Sequence, residues 1–259
     1  MLLEGRSKKK LYGKHVDSKN EKGKYVKSRF ASKLSKDIAI DATLRSAVGH
    51  SQGKINVRKE DLREKIRKHK ARGSIALVID MSGSMVSDKK INRIKTILEL
   101  IINNTIKHKD KLSVVGFKGK KSEIIIPNTK YPNSFLSKLD TITVGGTTPI
   151  AIGLKKGIEV LKKDIKENEY IPMLILLSDG RPNVGLGGDP IQDTLEAGKE
   201  IANEKIHNII IDFDKTSGQG RNFNKELAFN SKGTYYNLEK EMNTESVIEG
   251  ILNHERLNL

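Results

Sequence analysis

At 259 residues the chain is long enough to bury a full core, and one α/β domain with an extension accounts for it. It contains no cysteine, which excludes disulfides and thiol-ligated zinc, and no apolar run reaches the roughly eighteen residues of a membrane span. The net charge of +16 is unevenly spread: residues 1–72 hold 22 Lys+Arg against 8 Asp+Glu, and the other 187 hold 26 against 24, so a nearly neutral domain carries a basic extension.

Residues 1–36 are rich in Lys, Gly, Ser and Asn and poor in large apolar side chains, a composition that predicts a basic, flexible arm. Its first residues, MLLEGRSKKK, show no apolar segment after the charges, so the expectation is a soluble cytoplasmic protein rather than a secreted one. Residues 37–72 read as a docking segment. DIAIDATLRSA offers Ile38, Ile40, Leu44 and Ala47 to a domain or a partner, and KEDLREKIRKHKA (59–71) predicts a short basic helix, with acids in its first turn and bases in its last.

From Gly73 to the end, strands and helices alternate. Strands are expected at 74–80, 112–117, 123–126, 172–178, 206–212 and 234–238, the second and third forming a hairpin about Gly119. Helices are expected near 88–107, 133–140, 149–165, 190–204, 222–231 and 244–257. In the first of these Ile91, Ile94, Leu98, Ile101, Ile102 and Thr105 keep one apolar face. This order predicts a doubly wound, mainly parallel six-stranded sheet with one antiparallel edge strand and helices on both faces.

Three strand-to-helix connections concentrate oxygen-bearing side chains. The apolar strand SIALVID ends in Asp80-x-Ser82-x-Ser84, where Gly83 lets the chain turn at the edge at which open α/β sheets bind ligands. Oxygen-only donors at this density suit a hard divalent cation. Gly145-Gly146-Thr147-Thr148-Pro149 precedes a helix, with Thr148 placed as an N-cap or as a metal ligand. LILLSDG ends in Asp179-Gly180, a turn former or a third contribution to the same site. Met81 and Met85 read as packing beneath the first loop, and Arg181 and Asn183 as bordering the third. The six histidines (His15, His50, His69, His108, His207 and His254) are scattered, without the i,i+4 pairing of a helical metal site.

In this order Asp80, Ser82, Ser84, Thr148 and Asp179 match the DxSxS…T…D pattern, which resembles the metal-ion-dependent adhesion site of von Willebrand factor A domains. The resemblance implies that family's Rossmann-like fold over 73–259. It also implies that these five residues hold Mg²⁺ (Mn²⁺ being the other suitable ion) with one position open to a partner's Glu or Asp. The segments GKYVKSRF, KDIAIDATLRSAVGHS, VRKEDLREKIRKHKARGSIALVIDMSGSM, GGTTPIAIGL and LLSDGRPN are similar to the region entering, and lying within, the A domain of magnesium chelatase D subunits and their cobaltochelatase-like relatives. That narrower resemblance implies a non-catalytic subunit working with an AAA+ ATPase and a large subunit that inserts metal into a tetrapyrrole. The AAA+-like domain and acidic, proline-rich linker of the usual D subunit have no counterpart ahead of these segments.

Other functions receive less support from the residues. Ser82 or Ser84 as a nucleophile needs a nearby base, and no histidine lies close to the three loops in sequence; neither a G-x-S-x-G elbow nor a P-loop occurs. A phosphatase-type centre would want an attacking aspartate or a second metal, and neither is identifiable. The alternatives carried forward are a co-chaperone of a MoxR-type ATPase acting on another client, and unspecific nucleic-acid binding through the basic arm. That arm holds few aromatics (Tyr12, Tyr25 and Phe30) and no recognised nucleic-acid module.

Overall fold

A computed structural model describes residues 12–13, 15–17, 23–32, 35–51, 53–83, 88–139, 145–167, 170–212, 223–238 and 244–258. The chain divides into two compact units, Gly13–Ala71 and Arg72–Leu259, the latter joined by Tyr12.

The first unit is a three-stranded antiparallel sheet with one helix. Its elements are β1 (His15–Asp17), β2 (Lys24–Phe30), helix α1 (Ile40–Val48) and β3 (Arg63–Lys70), in sheet order β1-β3-β2. Two expectations are corrected here. Residues 15–17 and 24–30, placed in a flexible arm, are paired strands; residues 1–11 of that arm lie outside the described residues. The basic helix expected over 59–71 is a single 3₁₀ turn (Lys59–Asp61) followed by strand β3. The acid-then-base order of KEDLREKIRKHK mimics a helix because helix signals are local, whereas the ladder that overrides it comes from 33–55 residues away. Arg63 to Lys68 pair with Phe30 to Lys24, and Lys68 to Lys70 with Asp17 to His15.

The second unit holds a six-stranded sheet: β4 (Arg72–Asp80), β5 (Lys111–Lys118), β6 (Lys121–Thr129), β7 (Tyr170–Ser178), β8 (His207–Asp212) and β9 (Thr234–Asn237), in order β6-β5-β4-β7-β8-β9. All neighbours are parallel except β5 and β6. Edge strand β6 contains Pro127, which cannot donate to a ladder and is tolerated where only one neighbour pairs, beside a register shift. The helices are α2 (Asp88–His108), α3 (Ile150–Glu167), α4 (Pro190–Asn203), α5 (Phe223–Ser231) and α6 (Thr244–Asn258), with a 3₁₀ helix at Pro132–Leu139. The expected doubly wound sheet with one antiparallel edge is therefore the observed one.

Alternation along β4 separates two cores. Ile75, Leu77 and Ile79 join Ile97, Leu98 and Ile101 of α2 and Ile248 and Leu252 of α6 on one face. Ala76 and Val78 join Leu154 and Ile158 of α3, Ile201 of α4 and Leu227 of α5 on the other. After β4 the chain adds β5 and β6 on one side, then crosses through α3 to β7 on the other. The carboxyl ends of β4 and β7 thus flank the point where strand order reverses, the place at which such sheets leave a crevice. At the opposite, amino edge, Asp110 accepts from Gly73 N–H (2.7 Å), Tyr12 Oη (3.0 Å) and Arg256 Nη2 (2.9 Å). Burial beside Asp110 pushes the Tyr12 phenol up to about 12.

Candidate metal centre

β4 delivers Asp80 fully buried at its last position, directly after five consecutive buried apolar residues. One carboxylate oxygen, Oδ1, accepts from the backbone N–H of Ser82 at 2.8 Å, the short bond that bends the chain out of the strand. The other, Oδ2, accepts from Ser178 Oγ at 3.0 Å; Ser178 is the last residue of β7, directly after the final ladder pair Ile79–Leu177. Burial pushes the Asp80 carboxyl up to about 6 against these hydrogen bonds, and the nearby charge of Asp179 adds to the rise.

The second loop is laced to the first through backbone. Gly145 N–H donates to Met81 O (2.8 Å) and Gly83 N–H to Gly146 O (2.9 Å). Gly145 and Gly146 hold φ of +146° and +85°, a path open to glycine and strained for other residues. From behind, Gly119 N–H donates to Thr147 O (2.9 Å), and Thr147 Oγ1 donates to Gly119 O (2.6 Å). The hairpin turn at Gly119 therefore props the loop that carries Thr148 to the start of α3.

The third loop closes the ring. Asn183 Oδ1 accepts from Thr148 N–H at 2.6 Å, and Asn183 N–H donates to Thr148 O at 3.2 Å. Between β7 and Asn183, Gly180 turns at φ +72°; a Cβ there would lie 2.7 Å from the amide of Asn224 on α5. That amide donates from Nδ2 to Ser178 O (3.2 Å), and Gly180 N–H donates to Ser178 Oγ (3.1 Å). First loop to second, second to third and third back to first, each junction is a hydrogen bond.

Of the five residues singled out from the sequence, Asp80, Ser82, Thr148 and Asp179 come to this one edge, each at most 5% exposed. Ser84 lies outside the described residues, as does Met85. Met81 is core: it is 1% exposed, and a Cβ on Gly116 would fall 2.5 Å from its methyl. Sequence reasoning overlooked Ser178 and Asn224 and treated Asn183 only as a bordering residue. The polar Ser178 ending the run LILLS was the visible signal; Asn224, on a helix 46 residues further on, gave none. Among the described residues no group of three or more His, Cys, Asp or Glu side chains could hold a metal, so a cation at this edge must draw on hydroxyls as well as carboxylates.

Residues 75–181 match the von Willebrand factor type A domain, and residues 22–67 match the AAPxQ domain. The chain is 29% identical over 210 residues to the magnesium-chelatase 67 kDa subunit of Heliobacterium mobile, covering 75% of this chain and 30% of that protein. It is 30% identical over 142 residues to the uncharacterized protein MJ0910 of Methanocaldococcus jannaschii, covering 54% of this chain and 81% of that one. Among solved structures, the manganese-loaded TRAP protein of Plasmodium vivax superposes with a TM-score of 0.52 at 19% identity, covering 70% of this chain and 72% of its own. The chain spans about a third of the length of the chelatase subunits it matches.

Proposed function

This chain belongs to the von Willebrand factor type A family, and from that premise we propose that it is a Mg²⁺-dependent protein-docking subunit of a chelatase-type assembly. The proposed ligands are Asp80, Ser82, Ser84, Thr148 and Asp179, with Mn²⁺ as the other suitable ion. One observation carries the reading: two carboxylates and two hydroxyl residues from three separate loops are buried at one edge at the switch point of the sheet, and hydrogen bonds at Asp80, Ser178 and Thr148 tie those loops together. The donors are all oxygen, the chemistry of a hard cation.

The chain's own residues perform four tasks in this reading. Asp80, already accepting from Ser82 and Ser178, supplies negative charge without losing its orientation. Ser82 and Thr148 offer neutral oxygens, so the site's total charge stays low. Asn183 and the paired glycines hold Thr148 in register with the first loop. Asp179 adds a second carboxylate beside Asp80. When bound, the cation supplies a Lewis-acidic centre that still attracts an outside carboxylate, because Mg²⁺ usually retains exchangeable waters.

The likeness to magnesium-chelatase subunits supports a partner of the AAA+ ATPase class in the cytoplasm, with metal insertion into a tetrapyrrole carried out elsewhere in the complex. The test is binding of the full chain to the AAA+ ATPase of its source, with Mg²⁺ and with EDTA. Binding that needs Mg²⁺ and disappears in Ser82→Ala, with the circular dichroism spectrum unchanged, is the expected result. Equal binding in EDTA refutes the proposal.

A further inference from the structure

The unit Gly13–Ala71 has its apolar side chains inside out. Its described residues bury no apolar side chain larger than alanine: the fully buried ones are Ala39, Ala47 and Ala71. Meanwhile Val26, Phe30, Ile40, Leu44, Val48, Ile55 and Val57 are exposed. A folded unit of this size ordinarily gains its stability by doing the reverse.

Helix α1 shows the inversion most plainly. Ala39, Thr43 and Ala47, at i, i+4 and i+8, face inward, where Thr43 Oγ1 accepts from Arg63 N–H (3.0 Å) and Ala39 N–H donates to Arg63 O (2.7 Å). Ser46 Oγ fixes the last turn by donating to Asp61 (3.0 Å). One residue further round, Ile40, Leu44 and Val48 form a parallel ridge that is 68%, 42% and 54% exposed. The helix is thus anchored by its small side and presents its large side outward, the arrangement of an i, i+4, i+8 recognition helix.

Charge selects the occupant. Residues 13–71 hold 17 Lys+Arg against 7 Asp+Glu, a net +10. Four of those acids are already engaged inside the unit: Asp37 with Arg67 and Lys65, Asp41 with Arg45, Asp61 with His50, and Glu64 with Arg29. A second copy would meet the same +10. A nucleic acid held through its phosphates would leave the apolar ridge uncovered, whereas an acidic protein surface with an apolar strip answers both the charge and the ridge.

We propose that the Ile40–Leu44–Val48 ridge of α1 is a second, metal-independent docking site for an acidic protein surface with an apolar strip. It belongs to a different compact unit from the proposed metal ligands and needs no metal, so the two readings fail independently.

The experiment uses the full chain in EDTA and three fluorescent probes: a designed amphipathic helical peptide of Leu and Glu, its Leu/Lys counterpart, and a U-rich RNA oligomer. The Leu/Glu peptide should bind, and Leu44→Glu or Val48→Glu should each weaken it at least tenfold while Ser82→Ala leaves it unchanged. Two exposed positions are used so that a misfolded variant, recognised by circular dichroism, does not decide the outcome. No binding of the Leu/Glu peptide, or binding by both Glu variants as tight as the parent's, overturns the proposal. So does RNA binding that survives Leu44→Glu while the peptide fails. A dimer in sedimentation that Leu44→Glu dissolves would make the occupant a second copy and overturn it as well.

Discussion

Replacing Asp80 with Asn separates the stability of the metal-centre edge from its proposed use. The folded state raises this carboxyl from 3.8 to about 6, chiefly through burial. Below about pH 4 the group is protonated in both folded and unfolded chains and costs nothing. Between about pH 4 and 6 the unfolded chain ionises while the folded one resists, so metal-free stability falls as pH rises through that window. Above about pH 6 the full cost of a shift of about two units applies, about 3 kcal/mol. Asparagine removes the charge and keeps an oxygen for Ser82 N–H. Its amide, however, meets Ser178 Oγ, which now donates to Oδ2 and already accepts from Gly180 N–H, so the Ser178 hydroxyl must find another acceptor. That costs about 1 kcal/mol. Urea unfolding in EDTA at pH 7.5 is therefore expected to find Asp80→Asn more stable than the parent by about 2 kcal/mol, with the advantage gone at pH 4. Adding Mg²⁺ is expected to stabilise the parent and leave the variant unchanged. A variant less stable than the parent in EDTA at pH 7.5, or a difference that does not change with pH, refutes the reasoning.

Two further substitutions probe the frame around that edge. Asn183→Ala removes the acceptor of Thr148 N–H and is expected to cost about 1–2 kcal/mol of stability and to weaken Mg²⁺ binding in calorimetry without changing its stoichiometry. Asp110→Ala leaves the Arg256 guanidinium, whose side chain is 4% exposed, buried without its carboxylate. Thermal and urea unfolding are expected to show a loss of about 3–5 kcal/mol, with Mg²⁺ affinity of the folded protein unaltered.

The second unit was legible from residues 73 to 259 because its signals are local. SIALVID and LILLS are short apolar runs bounded by polar turns, and α2 and α3 repeat their apolar residues at helical spacing. Asp80, Ser82, Thr148 and Asp179 could be grouped from the sequence because each lies within two residues of a strand end or a helix start, in the order the fold requires. The lacing between the loops could not be chosen: Asn183 to Thr148 and Ser178 to Asp80 are contacts across 35 and 98 residues, set by strand register. The Gly13–Ala71 unit misled for the same reason in stronger form. Its strands are dominated by charged residues rather than by alternating apolar ones, so neither period stands out. Partners such as Asp37 for Arg67 and Glu64 for Arg29 are recognisable only once β2 and β3 are paired.

The two edges of the large sheet offer the best physical argument for the metal reading. Both bury carboxylates, but they are balanced differently. At the amino edge Asp110 meets the Arg256 guanidinium, and Asp164 meets Lys111 at 2.5 Å and accepts from Ser74 Oγ and Asn128 Nδ2. Each buried anion there has a cation of the chain's own beside it, as low-dielectric burial demands. At the carboxyl edge Asp80 meets the neutral donors of Ser82 and Ser178 and the like charge of Asp179. The neutral donors around Asp80 contrast with the cations at the amino edge, and this contrast supports the proposal that a cation from solution serves the carboxyl edge.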